Sequence, residues 1–244
     1  MPISRRVLLG VGGVAVVAVG GIAAWRLLRP TPPMQQLPPP APSAPPAQVA
    51  PAPVAPVAPA APAADQRMTE RSIGKPDAPV TATEFFSLTC PHCAAFARET
   101  MPQVQSQLID SGKLRMVFGD FPLDQVALTA AMVARSLPPE RYWPFCEALF
   151  ASQDRWAFAR GVNSTEELAK MAALAGLSRD AFNAAIADTA LRDWILKRQD
   201  EASKLYQVDS TPTFIFNGPA EKGHHEAGDR SYDDFAKLVA AAAG

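Results

Sequence analysis

Val80-Thr81-Ala82-Thr83-Glu84-Phe85-Phe86-Ser87-Leu88-Thr89-Cys90-Pro91-His92-Cys93 is the stretch on which the fold turns. Its first part, Val80–Leu88, is rich in β-branched and aromatic residues, the composition of a buried strand, whereas Ala94 onward places apolar residues at helical intervals. The two cysteines therefore stand where a strand hands over to a helix. Their spacing lets the sulfurs close a small ring or open it again, which reads as a redox-active dithiol. Pro91 suits a first helical position, where a missing N–H costs nothing. Cys90 then faces the unpaired amides of the first turn, and those amides together with the helix dipole favour a thiolate. His92 adds a positive or hydrogen-bonding group when its ring turns toward the sulfur. Cys90 is accordingly the expected nucleophile, with Cys93 its partner.

Glu84-Phe85-Phe86-Ser87, followed three residues later by Cys-Pro-His-Cys, resembles the DsbA family of thiol-disulfide oxidoreductases, which has a thioredoxin fold. A second stretch agrees. Ser210-Thr211-Pro212-Thr213-Phe214-Ile215-Phe216-Asn217-Gly218 is similar to the cis-proline loop and following strand that face the dithiol in thioredoxin-like proteins. The two motifs bracket a region from about Thr69 to Ala243. The resemblance implies that an extended substrate pairs with the backbone at Thr211 and Pro212, and that Glu84, six residues before Cys90, ferries a proton to Cys93. It implies no cofactor. Its partners are reduced exported polypeptides and a membrane quinone-linked DsbB-like reoxidant. Thr211 is a departure, because oxidases of the family typically carry valine before the cis-proline and the related isomerases often carry threonine. Isomerase and reductase activities, and a non-catalytic peptide-binding module, are the alternatives to an oxidase.

Two other readings compete for the cysteine pair. Zinc wants four ligands and usually a second C-x-x-C, and only Cys146 is left over. A purely structural disulfide closing so short a ring adds little chain-entropy stabilisation. The strand-to-helix context favours redox chemistry and no metal. Cys146 itself lies among aromatic and apolar residues (Arg141–Phe150), the setting of a small buried hydrophobe. His224 and His225 are adjacent on an expected edge strand, so their rings point to opposite faces and do not easily share an ion.

A formal net charge of −1 over 244 residues gives no basis for a nucleic-acid partner. Composition splits the chain into three. Residues 1–29 form a signal peptide or membrane anchor: Met1–Arg6 is basic, Val7–Ala24 is uncharged, and Arg26 and Arg29 follow. Ser4-Arg5-Arg6-Val7-Leu8-Leu9 resembles a twin-arginine export motif, and an ordinary secretory signal is the other reading. The retained-anchor reading leans on the flanking arginines, and a cleaved signal remains its alternative. Residues 30–66 are Pro/Ala-rich, holding 14 of the 25 prolines, and cannot bury a core. They read as a disordered, extended tether. Residues 67–244 form the folded domain. A location in the periplasm, tethered to the inner membrane if the anchor is retained, fits both the address and the redox-active pair.

Within the domain the pattern predicts a strand Val80–Ser87, a helix Pro91–Ser111 with a kink at Pro102, and a strand Leu114–Phe118. Gly119–Asp124 then resembles the family's exit into a helical insertion spanning about 124–207. Helices are expected over Gln125–Leu137 and Glu140–Ser152. The next should open at a Ser164–Glu167 capping box and close at Gly176. One capped by Ser178 follows, then Ala190–Gln207 with Leu191, Trp194, Ile195 and Leu205 near one face. A strand Thr213–Phe216, an edge strand near Gly223–Ala227 and a helix Asp233–Ala242 complete the set. The order is α/β, and the resemblance makes it a thioredoxin fold with an inserted helical domain.

Overall fold

The computed structural model describes residues 65–244. The expected signal or anchor, residues 1–29, and the tether up to residue 64 lie outside the described residues. Strands β1 (Arg71–Ile73), β2 (Val80–Phe86), β3 (Leu114–Asp120), β4 (Thr213–Asn217) and β5 (Lys222–Ala227) form one sheet in the order β1-β3-β2-β4-β5. β2 runs parallel to β3 and antiparallel to β4, so the strand leading to the dithiol is central and hydrogen-bonded on both sides. Glu84 sits in that strand, opposite Phe118 on one neighbour and Phe214 on the other. β1 was not legible in the sequence, where Thr69–Ala78 reads as a lead-in of turn residues. Three residues are too few for a periodicity, and pairing with β3 is what makes them a strand.

The helix after β2, α1, runs through residues 91–109. It begins as an α-helix (Pro91–Ala95), widens to π geometry (Phe96–Thr100), narrows again at Met101–Val104, and ends in a second π segment (Gln105–Ile109). Pro102 has no N–H to give the preceding turn, and its ring crowds the carbonyl four residues back. The widened turn just before it accommodates both, so the expected kink takes the form of a π segment.

Between β3 and β4 lie six helices: α2 (Gln125–Arg135), α3 (Pro139–Phe150), α4 (Gln153–Trp156), α5 (Ser164–Leu174), α6 (Arg179–Ala187) and α7 (Thr189–Tyr206). The final helix, α8, is Tyr232–Ala243. Two readings of caps and faces change. Asn163, not Ser164, caps α5, its side chain accepting from the amides of Thr165 and Glu166 at 3.0 and 3.3 Å. The asparagine amide oxygen, one residue earlier, does the work assigned to the serine hydroxyl. Leu205 does not join Leu191 and Ile195 on the buried face of α7, being 71% exposed.

The insertion is joined to the sheet by rings. Phe118 stacks on Trp143 of α3 with centroids 4.1 Å apart, and Phe86 meets Trp143 and Phe150 edge-on. A second cluster of Phe96, Phe214, Phe216 and Phe235 packs α1 and α8 against β4. Beside the first cluster is a buried polar knot. Asp120, at the end of β3, accepts from the Arg135 guanidinium and, at 2.8 Å, from the Tyr142 hydroxyl. Arg135 also donates to the carbonyls of Arg67 and Thr69, tying the start of the fold to the insertion. Burial of so many polar groups is tolerated because each has partners.

Candidate active site

Cys90 is the N-cap of α1 and Pro91 its first residue, so the strand-to-helix handover falls at the dithiol. Both cysteines are free and buried, with Cys90 5% exposed and Cys93 fully enclosed. The Cys90 thiol donates to the Thr211 carbonyl at 3.2 Å, and the Thr211–Pro212 peptide is cis. The segment after α7 thus forms the wall facing the dithiol.

The two thiols are driven apart electrostatically. Cys90 is lowered to about 5, first by a hydrogen bond from the Cys93 thiol and further by the backbone amides of Cys93 and His92, with burial opposing. Cys93 is pushed well above the ordinary thiol value, first by burial, then by serving as donor to Cys90 and by the charges of Glu84 and Cys90. One sulfur is built to be an anion and the other to stay protonated.

A family model described as Thioredoxin matches residues 66–241. Among solved structures, alpha-DsbA1 from Wolbachia pipientis is 31% identical, with a TM-score of 0.64 over 70% of this chain and 89% of that one. The chain belongs to the DsbA branch of the thioredoxin family. A Rickettsia bellii protein provisionally named a protein-disulfide oxidoreductase is 24% identical over 147 residues, 60% of this chain and 56% of the relative. The chain thus spans little more than half the length of that relative. Disulfide bond formation protein D of Bacillus subtilis is 33% identical over 85 residues, 33% of this chain and 38% of that protein.

In this DsbA-like site Glu84 lies beneath the dithiol and is completely buried. Neither carboxyl oxygen has a hydrogen-bond partner, and burial, reinforced by the charge of Cys90, pushes it up to about 8. A carboxyl poised there is neutral at pH 7 and holds a transferable proton.

His92 is placed differently from the sequence reading. Its ring is 71% exposed and Nδ1 stands 3.2 Å from an Asp229 carboxylate oxygen, in the loop between β5 and α8. The contribution of His92 to the thiolate therefore comes from its backbone amide, not its ring. The same loop touches the site once more, where Gly228 N–H donates to the Pro212 carbonyl at 2.8 Å, and is tied to α1 by Thr100, which donates to the Arg230 carbonyl at 2.6 Å. No spacing pattern pointed to Asp229, 137 residues downstream of His92 by simple subtraction of their numbers.

Cys146 is fully buried and burial raises its thiol well above the ordinary value, so it cannot supply a thiolate near neutral pH. His224, on the edge strand, pairs through Nδ1 with Glu221 at 2.9 Å. Among the described residues no cluster of three or more histidine, cysteine or acidic side chains is arranged to hold a metal. Nor, among them, is any helix long and apolar enough to cross a membrane.

Proposed function

We propose that the chain is an exported thiol:disulfide oxidoreductase that introduces disulfide bonds into other exported proteins through Cys90 and Cys93. The observation that carries this reading is the opposite displacement of the two thiols, with Cys90 lowered to about 5 and Cys93 raised. Stabilising the Cys90 anion stabilises the reduced enzyme, and a stable reduced form makes the disulfide a strong oxidant.

In the oxidised enzyme a substrate thiolate attacks the Cys90 sulfur. The Cys90–Cys93 bond breaks and its electron pair leaves on Cys93, which takes up a proton relayed through Glu84. A second substrate thiolate attacks the substrate sulfur of the mixed disulfide, and Cys90 departs as a thiolate. The substrate has lost two electrons and the dithiol has gained them. Return to the disulfide requires an external acceptor, for which a membrane quinone-linked partner of the DsbB kind is the proposal. The cis-proline loop at Thr211 and Pro212 supplies the backbone groups along which an extended substrate lies. The periplasm is the proposed location, with residues 1–29 as export signal or anchor and the Pro/Ala segment as tether.

Thr211 before the cis-proline favours a second reading, a disulfide isomerase. Equilibration with glutathione separates the possibilities. A couple near −120 mV supports the oxidase, and one near −270 mV makes the protein a reductase, several kcal/mol away. An intermediate potential with rapid repair of scrambled disulfides would replace the oxidase by the isomerase.

A further inference from the structure

Gln153 is the first residue of α4, a helix of the insertion, yet its side chain reaches the redox turn. Its Nε2 donates to the Leu88 carbonyl at 2.8 Å and to the Cys90 carbonyl at 3.0 Å. The residue is only 6% exposed. The turn it grips is the one that sets the nucleophile, since Cys90 N–H bonds back to the Ser87 carbonyl at 3.0 Å and the Cys90 carbonyl receives Ala94 N–H at 3.1 Å to start α1. The grip is itself held. Ser152, just before Gln153, leaves helical geometry and donates from its hydroxyl to the Ala148 carbonyl at 2.7 Å, while the Trp156 indole donates to the Leu149 carbonyl at 2.8 Å.

We infer that Gln153 is a positioning residue of the redox site, through which the helical insertion holds the Cys90 peptide so that the sulfur faces the first-turn amides of α1. Two effects act in the same direction. The paired hydrogen bonds fix the carbonyls on either side of Thr89, and with them the direction in which the Cys90 side chain leaves the backbone. The amide also offsets the negative end of the Cys90 carbonyl dipole, which is close to the sulfur of the same residue. Loss of the amide therefore weakens the thiolate on both counts, and takes the Gln153 donor from the Leu88 carbonyl while the Cys90 carbonyl keeps Ala94 N–H. The inference rests on the reading of Cys90 as the stabilised nucleophile.

The test replaces Gln153 by Met, of similar length and without a donor, and by Glu, which keeps the shape. Thiolate absorbance is followed against pH and the dithiol is equilibrated with glutathione, in wild type and both variants. For Gln153→Met we expect the glutathione equilibrium to move toward the disulfide by roughly tenfold and the thiolate midpoint to rise. Glu, which burial against two carbonyls keeps protonated, can restore one of the two hydrogen bonds at most, and should move both in the same direction by a smaller amount. Loss of stability alone, with the thiolate midpoint and glutathione equilibrium unchanged within about twofold in the folded variants, would reduce Gln153 to an ordinary packing residue. If Met prevents folding, the Glu variant decides by the same measurements. A wild-type protein without a low-pH thiolate would instead overturn the assignment of Cys90.

Discussion

The Cys90 thiol meets the Thr211 carbonyl at 3.2 Å although 121 residues of chain separate them. In between lie helix α1, the parallel strand β3, the helical insertion and the turn into β4. The site therefore exists only when the sheet has brought β2 and β4 side by side.

Cys90 should be the thiol that reacts. Alkylation of the reduced protein near pH 6, mapped by mass spectrometry, is expected to label Cys90 at least tenfold faster than Cys93 or Cys146, because only Cys90 is substantially ionised there. The 240 nm absorbance should show one thiolate appearing with a midpoint near pH 5. Preferential labelling of either other cysteine refutes the assignment.

The redox forms should differ in their response to pH. In the reduced protein Cys90 titrates near 5 when folded and near ~8.5 when unfolded, so between those values the unfolded chain binds the extra proton. The resulting stabilisation is fully present above about pH 8.5 and is lost as pH falls through 5. The oxidised protein has no such thiol. The reduced form should therefore gain on the oxidised form by up to about 1.4 kcal/mol per pH unit across this window, as read by denaturant titration of both forms. A gap independent of pH would contradict the lowered thiol.

Glu84 works with the opposite sign. Its folded value near 8 lies above that of a free carboxyl, so its contribution to stability is lost as pH rises from about 4.5 toward 8. Glu84→Gln removes this penalty while keeping the shape, and leaves an amide in place of the carboxyl. We expect the variant to be about 1–3 kcal/mol more stable at pH 7, with no advantage at pH 4. Substrate oxidation should be slowed at least tenfold, because no proton is available to Cys93. Stopped-flow mixing with a reduced peptide measures the second effect, and an unchanged rate would remove Glu84 from the reaction.

His92→Ala should disturb the couple little, shifting the glutathione equilibrium less than about threefold. The ring faces Asp229, and the backbone amide that helps hold the Cys90 anion survives the substitution. A shift of tenfold or more toward the disulfide would show that the imidazole reaches the sulfur in solution.

Legible along the chain were the strand-to-helix placement of the dithiol, Cys90 at the helix start, the Thr-Pro loop and the succession of helices between β3 and β4. These are local properties. A cap, a turn glycine or an amphipathic repeat acts within a few residues of itself, so its signal is written contiguously. Tertiary structure alone decided that Glu84 is buried without a partner, that the His92 ring belongs to Asp229, that Asp120, Arg135 and Tyr142 form one knot, and that Gln153 holds the redox turn. Each depends on which surfaces face each other after packing. The desolvation that raises a carboxyl, or the reach of an amide onto a carbonyl 63 positions away, has no counterpart in spacing along the chain.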